Sequence, residues 1–318
     1  MEEIHDKKPR TTNKRRMRAM LIFNPGAGEA SEKSVQLMDV ISEMQAWKLV
    51  PETYLVEPGS DLPAVVQHAL EDGLRMFVVC GGDGTIDVMA GALAGTKGTL
   101  GIIPTGTQNN VALSLGIPSA DIPAAIAILR KGRRIKVDVG LAEFGDKKRS
   151  FLEVCSVGLL SALFPSADDI QHGNLTRIGD FLATLVASPP AEIHLILDGK
   201  QEINTMCHVV LVSNMPYIGP HFQVGTSASL NDGLLDVLLF ADLSKMDLLG
   251  YAVQVARGGE EDERIQHYHV RKVAVDTRPA MPLMADGLAL GEGPLHISVQ
   301  HNALAVMVGE LAPAELPS

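Results

Sequence analysis

The stretch "VVCGGDGTIDVMAGAL", Val78 to Leu93, decides how the rest of the chain is read. The run leading into it, "RMFVVC", is short, apolar and β-branched, which predicts a buried strand. Behind it, Ile86, Met89, Ala90 and Leu93 recur at helical spacing. Between strand and helix stand Gly81, Gly82, Asp83, Gly84 and Thr85. Taken alone, three glycines need only a tight turn. Leaving a strand and opening a helix, they also aim free N–H groups and the positive helix end at one point, which makes a site for phosphate. A carboxylate repels phosphate, so Asp83 makes sense there if it holds a metal-bound water or takes a proton from an attacking hydroxyl. The stretch has neither the "GKS" or "GKT" ending of a P-loop nor the spacing of a dinucleotide fingerprint.

Upstream, "MRAMLIF" predicts a first strand that ends at "NPGAG", Asn24 to Gly28. Leu37, Met38, Ile41 and Met44 then mark a helix face, with Ser31 as its N-cap. "KLVPETYLV" reads as a second strand broken by Pro51, and Asp61 caps a helix in which Val65 stacks on Ala69 and Val66 on Leu70. Downstream come "TLGIIP" and the polar loop "TGTQNNVALSLGIP". Strands alternating with helices predict a parallel sheet covered on both faces. Its polar loops leave the carboxyl ends of the strands, where ligands bind in such sheets.

From "IKVDVGLAEF" onward the texture changes. Strand-like segments follow one another ("SFLEVCSVG", "EIHLILDG", "MCHVVLVSN", "GLLDVLLF", "QHYHVRKVAVDT", "LHISVQ", "ALAVMVG"), interrupted by helical patterns at Leu175 to Ala187 and Lys245 to Ala256. The expected organisation is a basic arm at 1–18, an α/β domain with a parallel sheet at 19–135, a mostly antiparallel β-rich domain at 136–309 and a tail at 310–318. The closing strands are expected to return toward the first domain.

The 318 residues suffice for two cores, and 46% apolar content fits a globular protein. Cys80, Cys155 and Cys207 are scattered without CxxC spacing, which argues against disulfides or a zinc site and for a reducing cytoplasm. No apolar run approaches the roughly 20 residues that span a bilayer, and no secretory h-region is visible. Residues 1–18 hold seven Lys/Arg against Glu2, Glu3 and Asp6, a net of +4, so the remainder carries −15 against a total of −11. An acidic body disfavours nucleic acid as a partner. The basic arm is compatible either with peripheral contact at an anionic inner membrane surface or with a solvated tail. His208, His267, His269, His296 and His301 lie in strand-like stretches without metal-ligand spacing and read as satisfied or surface histidines. A homodimer is left open.

"NPGAG", "GGDGT", "GIIPTGTQNN" and "NDGLLDV", in this order and over nearly the whole length, resemble the diacylglycerol kinase catalytic-domain family, in particular its bacterial soluble lipid kinases, and are also similar to sphingosine kinases. "GGDGT" by itself is shared with NAD kinases. The resemblance implies ATP bound in a cleft between the two domains, the first being nucleotide-binding, and phosphoryl transfer to a lipid hydroxyl. It implies nucleotide contacts from Asn24, Gly81, Gly82, Asp83, Gly84, Thr85 and Thr107, with Asp83 near the phosphates and their magnesium. It further implies a structural Mg2+ held by the Asp232 carboxylate and the carbonyls of Ser229 and Leu234. Apart from that resemblance, Asp232-Gly233 reads as a hairpin turn.

The departures from the family pattern fall at the chemistry. Val88 stands where the family has Glu, Gln108 and Asn110 replace a glycine and an acid, and Leu55 or Val56 takes the place of a threonine. Leu288 occupies the position of the glutamate in the C-terminal "DGE", which acts as base in the bacterial lipid kinases. Three readings follow: Asp83 or Asp286 serves as base, Glu292 reaches back into the site, or the protein binds nucleotide or lipid without turning it over. The apolar segments Val157 to Phe164 and Leu175 to Ala187 fit either an acyl-chain cleft or ordinary core. Diacylglycerol, a sphingoid base, another lipid alcohol and NAD all stay open as acceptors.

Overall fold

The computed structural model describes residues 15–27, 36–158, 189–218, 222–223, 229–241, 243–244, 246–248 and 264–309. The segment at 175–187 and all of 245–256 except 246–248, two helical patterns in the sequence, lie outside the described residues, as do Ser31, most of Val157 to Phe164, the tail beyond 309 and residues 1–14 of the basic arm.

The first half alternates as its periodicity predicts. In chain order it comprises β1 (Met17–Phe23), α1 (Leu37–Ala46), β2 (Leu49–Leu55), α2 (Leu62–Glu71), β3 (Met76–Gly81), α3 (Asp83–Leu93), β4 (Thr99–Pro104), α4 (Asn110–Ser114) and α5 (Ile122–Lys131). The strands lie parallel in the order β2-β1-β3-β4. Every residue of β3 and β4 is buried, because helices cover both faces. One face packs on α2 and α3 through Val66, Ile86, Met89 and Leu93, the other on α1 and α5 through Val40, Met44, Ile126 and Leu129.

Two local expectations are corrected. Pro51 does not break β2, which runs through it opposite Ala19. Among the described strands β2 pairs with β1 alone, and a proline that donates no ladder bond is tolerated on such an edge. On α1 the buried pair is Val40 and Met44, one turn apart, while Met38 is 71% exposed. β1 already begins at Met17, and its Arg18 pairs with Glu52 of β2 at 2.6 Å, so the last basic residue of the arm belongs to the sheet.

The second half is built from β5 (Arg133–Phe144), β6 (Lys147–Phe151), β7 (Val154–Gly158), β8 (Ala191–Leu197), β9 (Gln201–Ser213), the short pair β10 (Tyr217–Ile218) and β11 (Phe222–Gln223), β12 (Leu235–Ala241), β13 (Gln266–Val270), β14 (Lys272–Arg278), β15 (Pro282–Ala285), β16 (Leu288–Glu292) and β17 (Leu295–Val308). All their mutual pairings are antiparallel. The segments "LHISVQ" and "ALAVMVG" form a single strand, β17, with an irregularity between Gln300 and Leu304. Its first half pairs with β14, and its second half lies parallel to β4, so the sheet is continuous through both halves of the molecule. The three cysteines are buried and none forms a disulfide, and burial pushes the Cys80 thiol up to about 12. Among the described residues no helix is long and apolar enough to cross a membrane.

Candidate active site

From β1 the chain crosses through α1 to β2 on one side, while β3 lies on the other. The carboxyl ends of β1 and β3 are therefore a topological switch point, where the crevice of an open α/β sheet forms. The backbone keeps these ends level: Asn24 N–H donates to Cys80 O (2.9 Å) and Thr105 N–H to Gly81 O (3.1 Å). Asn24 also donates its amide Nδ2–H to Thr85 Oγ1 (2.9 Å) and accepts from Gly26 N–H (3.1 Å). Gly82 caps α3 in extended backbone and without a side chain, which leaves the first N–H groups of the helix facing outward.

The loop after β4 presses against this turn. A Cβ on Gly106 would stand 2.5 Å from Gly82 Cα, and one on Gly82 would stand 3.1 Å from Gly106 Cα. Only two glycines allow that approach. Asn109 fixes the loop from within: it accepts from Gly106 N–H (2.9 Å) and donates to Gly106 O (2.8 Å). Thr107 is exposed at the crest. Asp83 ties both loops together, its two carboxylate oxygens accepting from Asn110 N–H and Val111 N–H at 3.2 Å each.

Beside Asp83 lies a group of carboxylates, two of which, Asp87 and Glu153, are not among the residues singled out from the sequence. Asp87, one helical turn along α3, is buried and accepts a hydrogen bond from Arg149 Nη2–H of β6. Glu153, between β6 and β7, is buried as well. Asp286, in the β15–β16 turn, accepts from the N–H groups of Leu152 (2.6 Å), Glu153 (3.0 Å) and Val154 (2.8 Å). All four titrate above the ordinary carboxylate range. Burial is the main cause each time, and the charge on Asp286 raises the other three further. Asp87 is pushed up to about 8 in spite of Arg149. For Asp83 and Asp286 the backbone N–H groups act in the opposite direction. The buried Asn110 Oδ1 has no hydrogen-bond donor among the described residues.

Leu288 opens β16 opposite Ala285 and is 48% exposed. Glu292 is carried to the far end of that strand, about 13 Å along at 3.3 Å per residue, and is exposed there opposite Pro282. Val88 packs against the α3 side of the core.

The "NDGLLDV" turn is organised by a residue without a sequence signal, the buried Asp138 of β5. It accepts from Gly233 N–H (2.6 Å), Asn302 N–H (2.6 Å) and the ring nitrogen Nδ1 of His301 (3.0 Å). Gly233 has φ +75° with His301 packed against it, so the turn needs glycine there. Asp232 accepts from Leu234 N–H (2.9 Å) through Oδ1, and burial raises its carboxyl above the ordinary range. Its Oδ2 takes no hydrogen bond from the described residues. An exposed carboxylate oxygen is the hard oxygen donor that Mg2+ takes. Asn214 links this turn to the carboxylates, donating from Nδ2 to Asp138 O (3.2 Å) and Leu152 O (2.9 Å) while its N–H donates to Glu153 O (2.9 Å).

Residues 18–142 match the family model of the diacylglycerol kinase catalytic domain, and residues 166–308 match that of the YegS C-terminal NAD kinase beta sandwich-like domain. A diacylglycerol kinase of Bacillus subtilis (strain 168) is 27% identical over 277 residues, covering 85% of this chain and 89% of its own length. The crystal structure of a diacylglycerol kinase from Bacillus anthracis str. Sterne covers 94% of this chain and 98% of that one with a TM-score of 0.69 at 20% identity. That of an NAD kinase from Archaeoglobus fulgidus in complex with ATP is more distant, with a TM-score of 0.53 at 13% identity over 92% of this chain and 94% of that one. The chain thus carries, in order, a diacylglycerol kinase catalytic domain at 18–142 and a YegS C-terminal NAD kinase beta sandwich-like domain at 166–308, and it shares the fold of these structures.

Proposed function

We propose that this protein transfers the terminal phosphoryl group of ATP to the hydroxyl of a lipid, diacylglycerol-like or sphingoid-like, with magnesium. The observation that carries the reading is the open N-terminus of α3 at the switch point, with the Asp83 carboxylate fixed beside it. The match to the diacylglycerol kinase catalytic-domain model and the similarity to a diacylglycerol kinase support kinase chemistry. Phosphoryl transfer depends on positioning and charge neutralisation more than on covalent help from the protein, and such a site supplies both.

In this reading the N–H groups at Asp83 and Gly84 meet phosphate oxygens, and Asn24 and Thr85 brace the loop. Thr107 closes over the nucleotide from the β4 loop. The lipid oxygen attacks the terminal phosphorus, the bond to the ADP oxygen breaks, and the hydroxyl proton passes to Asp83. A carboxyl whose pKa is raised by burial is the better proton acceptor when ionised. Asp286, tied to three backbone N–H groups, positions the Leu152–Val154 turn and holds up the pKa of its neighbours. Asp232, with the carbonyls of Ser229 and Leu234, would hold Mg2+, which supplies positive charge against the phosphates.

One observation favours a second reading. The exposed Leu288 offers no proton acceptor where the family has glutamate, which suits a homologue that binds nucleotide or lipid without efficient turnover. The deciding experiment is ATP turnover with Mg2+ against a panel of lipid alcohols, with NAD as control. Turnover with a lipid alcohol that Asp83→Asn abolishes is the expected result. ATP binding without turnover on any acceptor supports the second reading, and turnover with NAD alone refutes both.

A further inference from the structure

Two histidines that read as satisfied or surface residues in the sequence converge on a buried carboxylate. His267 and His269 are two apart on β13 and so project from the same face of the strand. Directly across from His269 in β12 stands Asp236, which is 7% exposed. His267 Nε2 lies 3.1 Å and His269 Nε2 3.0 Å from the same atom, Asp236 Oδ1, and the two rings stack with centroids 4.8 Å apart. The three ligand-capable atoms all fall within 4.8 Å of one another. Ligands at about 2.0–2.1 Å from a tetrahedral zinc are separated by roughly 3.3 Å, so the two Asp236–histidine distances already match edges of such a site, while the His267–His269 edge closes from within 4.8 Å by rotation of the exposed His269 ring.

We propose that Asp236, His267 and His269 form a binding site for a borderline divalent cation of the zinc type, with one coordination position left for water or an incoming ligand. Two imidazole nitrogens and one carboxylate suit Zn2+ or Co2+, and not Mg2+, which takes oxygen ligands. The site is separate from the Asp232 turn and does not rest on the kinase reading. β13 is paired with β12 alone among the described strands, so a cation here cross-links an edge strand to its neighbour. β12 starts immediately after Leu234, and the charges of Asp236 and His269 reach the Asp232 carboxylate. Occupancy therefore bears on the turn next to it. Linear spacing misses the site because the third ligand comes from a different strand. His269 is the more exposed of the two rings, which leaves the cation a path from solvent.

The test uses the full, untagged chain stripped with chelator and titrated with Co2+, followed by visible absorption. One equivalent of Co2+ with tetrahedral d–d bands is expected, displaced by Zn2+ and not by excess Mg2+. His269→Ala is expected to weaken binding by at least about tenfold, as ligand-shell losses do, and His267→Gln likewise. Zn2+ should raise the thermal midpoint of the native chain and leave that of a folded His267→Gln/His269→Ala variant unchanged. Absence of Co2+ bands, displacement by Mg2+, or equal affinity in the folded variants would each overturn the site.

Discussion

Gly82 and Gly106 meet backbone to backbone, with a Cβ on Gly106 falling 2.5 Å from Gly82 Cα. Two loops from different strands thus share one wall of the proposed phosphate site. Gly82→Val is expected to part them and to weaken ATP binding by at least about tenfold, or 1.4 kcal/mol. Calorimetry on the folded variant checks this, and unchanged affinity would place the nucleotide elsewhere. Gly106→Ala should also lower the thermal midpoint, because the atom in its way is backbone.

Asp83 and Leu288 divide the catalytic question between them. With Asp83 as proton acceptor, Asp83→Asn should cut turnover by roughly 10² to 10⁴ while ATP still binds. Leu288→Glu should then change the rate little, and Glu292→Gln should be tolerated, since Glu292 sits at the far end of β16. A large gain from Leu288→Glu would show instead that the site lacks its base.

The buried carboxyls predict an unusual pH dependence of stability. Asp87 holds its proton in the folded chain up to about pH 8, whereas unfolded it releases it near 4. The folded state thus binds more protons across that window, and stability falls as pH rises through it, by up to about 1.4 kcal/mol per unit for one group. Urea unfolding of native and Asp87→Asn protein between pH 5 and pH 8 should show a flatter profile for the variant.

Asp138 accepts three donors in a buried position. Asp138→Asn leaves one oxygen for them and turns two N–H donors toward groups that also donate. A loss of about 3 kcal/mol in urea unfolding is expected, at the level of broken hydrogen bonds to a buried charge. A loss below about 1 kcal/mol would mean that the Asp232 turn holds itself.

The basic arm allows a test that spares the sheet. Because β1 begins at Met17, the deletion should stop at residue 14. Sedimentation with anionic vesicles should fall in the deleted form and, for the intact chain, with added salt. Equal sedimentation of both forms would reduce the arm to a solvated tail.

How far the site can be read in the sequence depends on where each group stands. Asp83 and Asp286 are legible because they sit beside glycines in turns. Asp87 has a weaker signal, four residues after Asp83 and so on the same side of α3. Glu153 and Asn214 have none: they stand at strand ends, and only the pairing of β7 with β9 brings them to the Asp286 turn. The parallel sheet was legible because buried strands and amphipathic helices alternate with different periods. The continuity of β17 was not, since the polar "HN" in its middle reads as a turn, and it becomes strand interior only because Asp138 accepts from both residues.

That strand also fixes an order of events on the ribosome. Thr99 of β4 finds its partner in Ala305, at the other end of the chain. At about 5–20 residues per second, roughly 10–40 s pass between the emergence of the two. During that interval β4 presents a bare, wholly apolar-flanked ladder edge, the kind of template on which another nascent chain can pair. Nascent chains halted before residue 305 should therefore be the aggregation-prone species, and a chaperone that shields strand edges would act within that window.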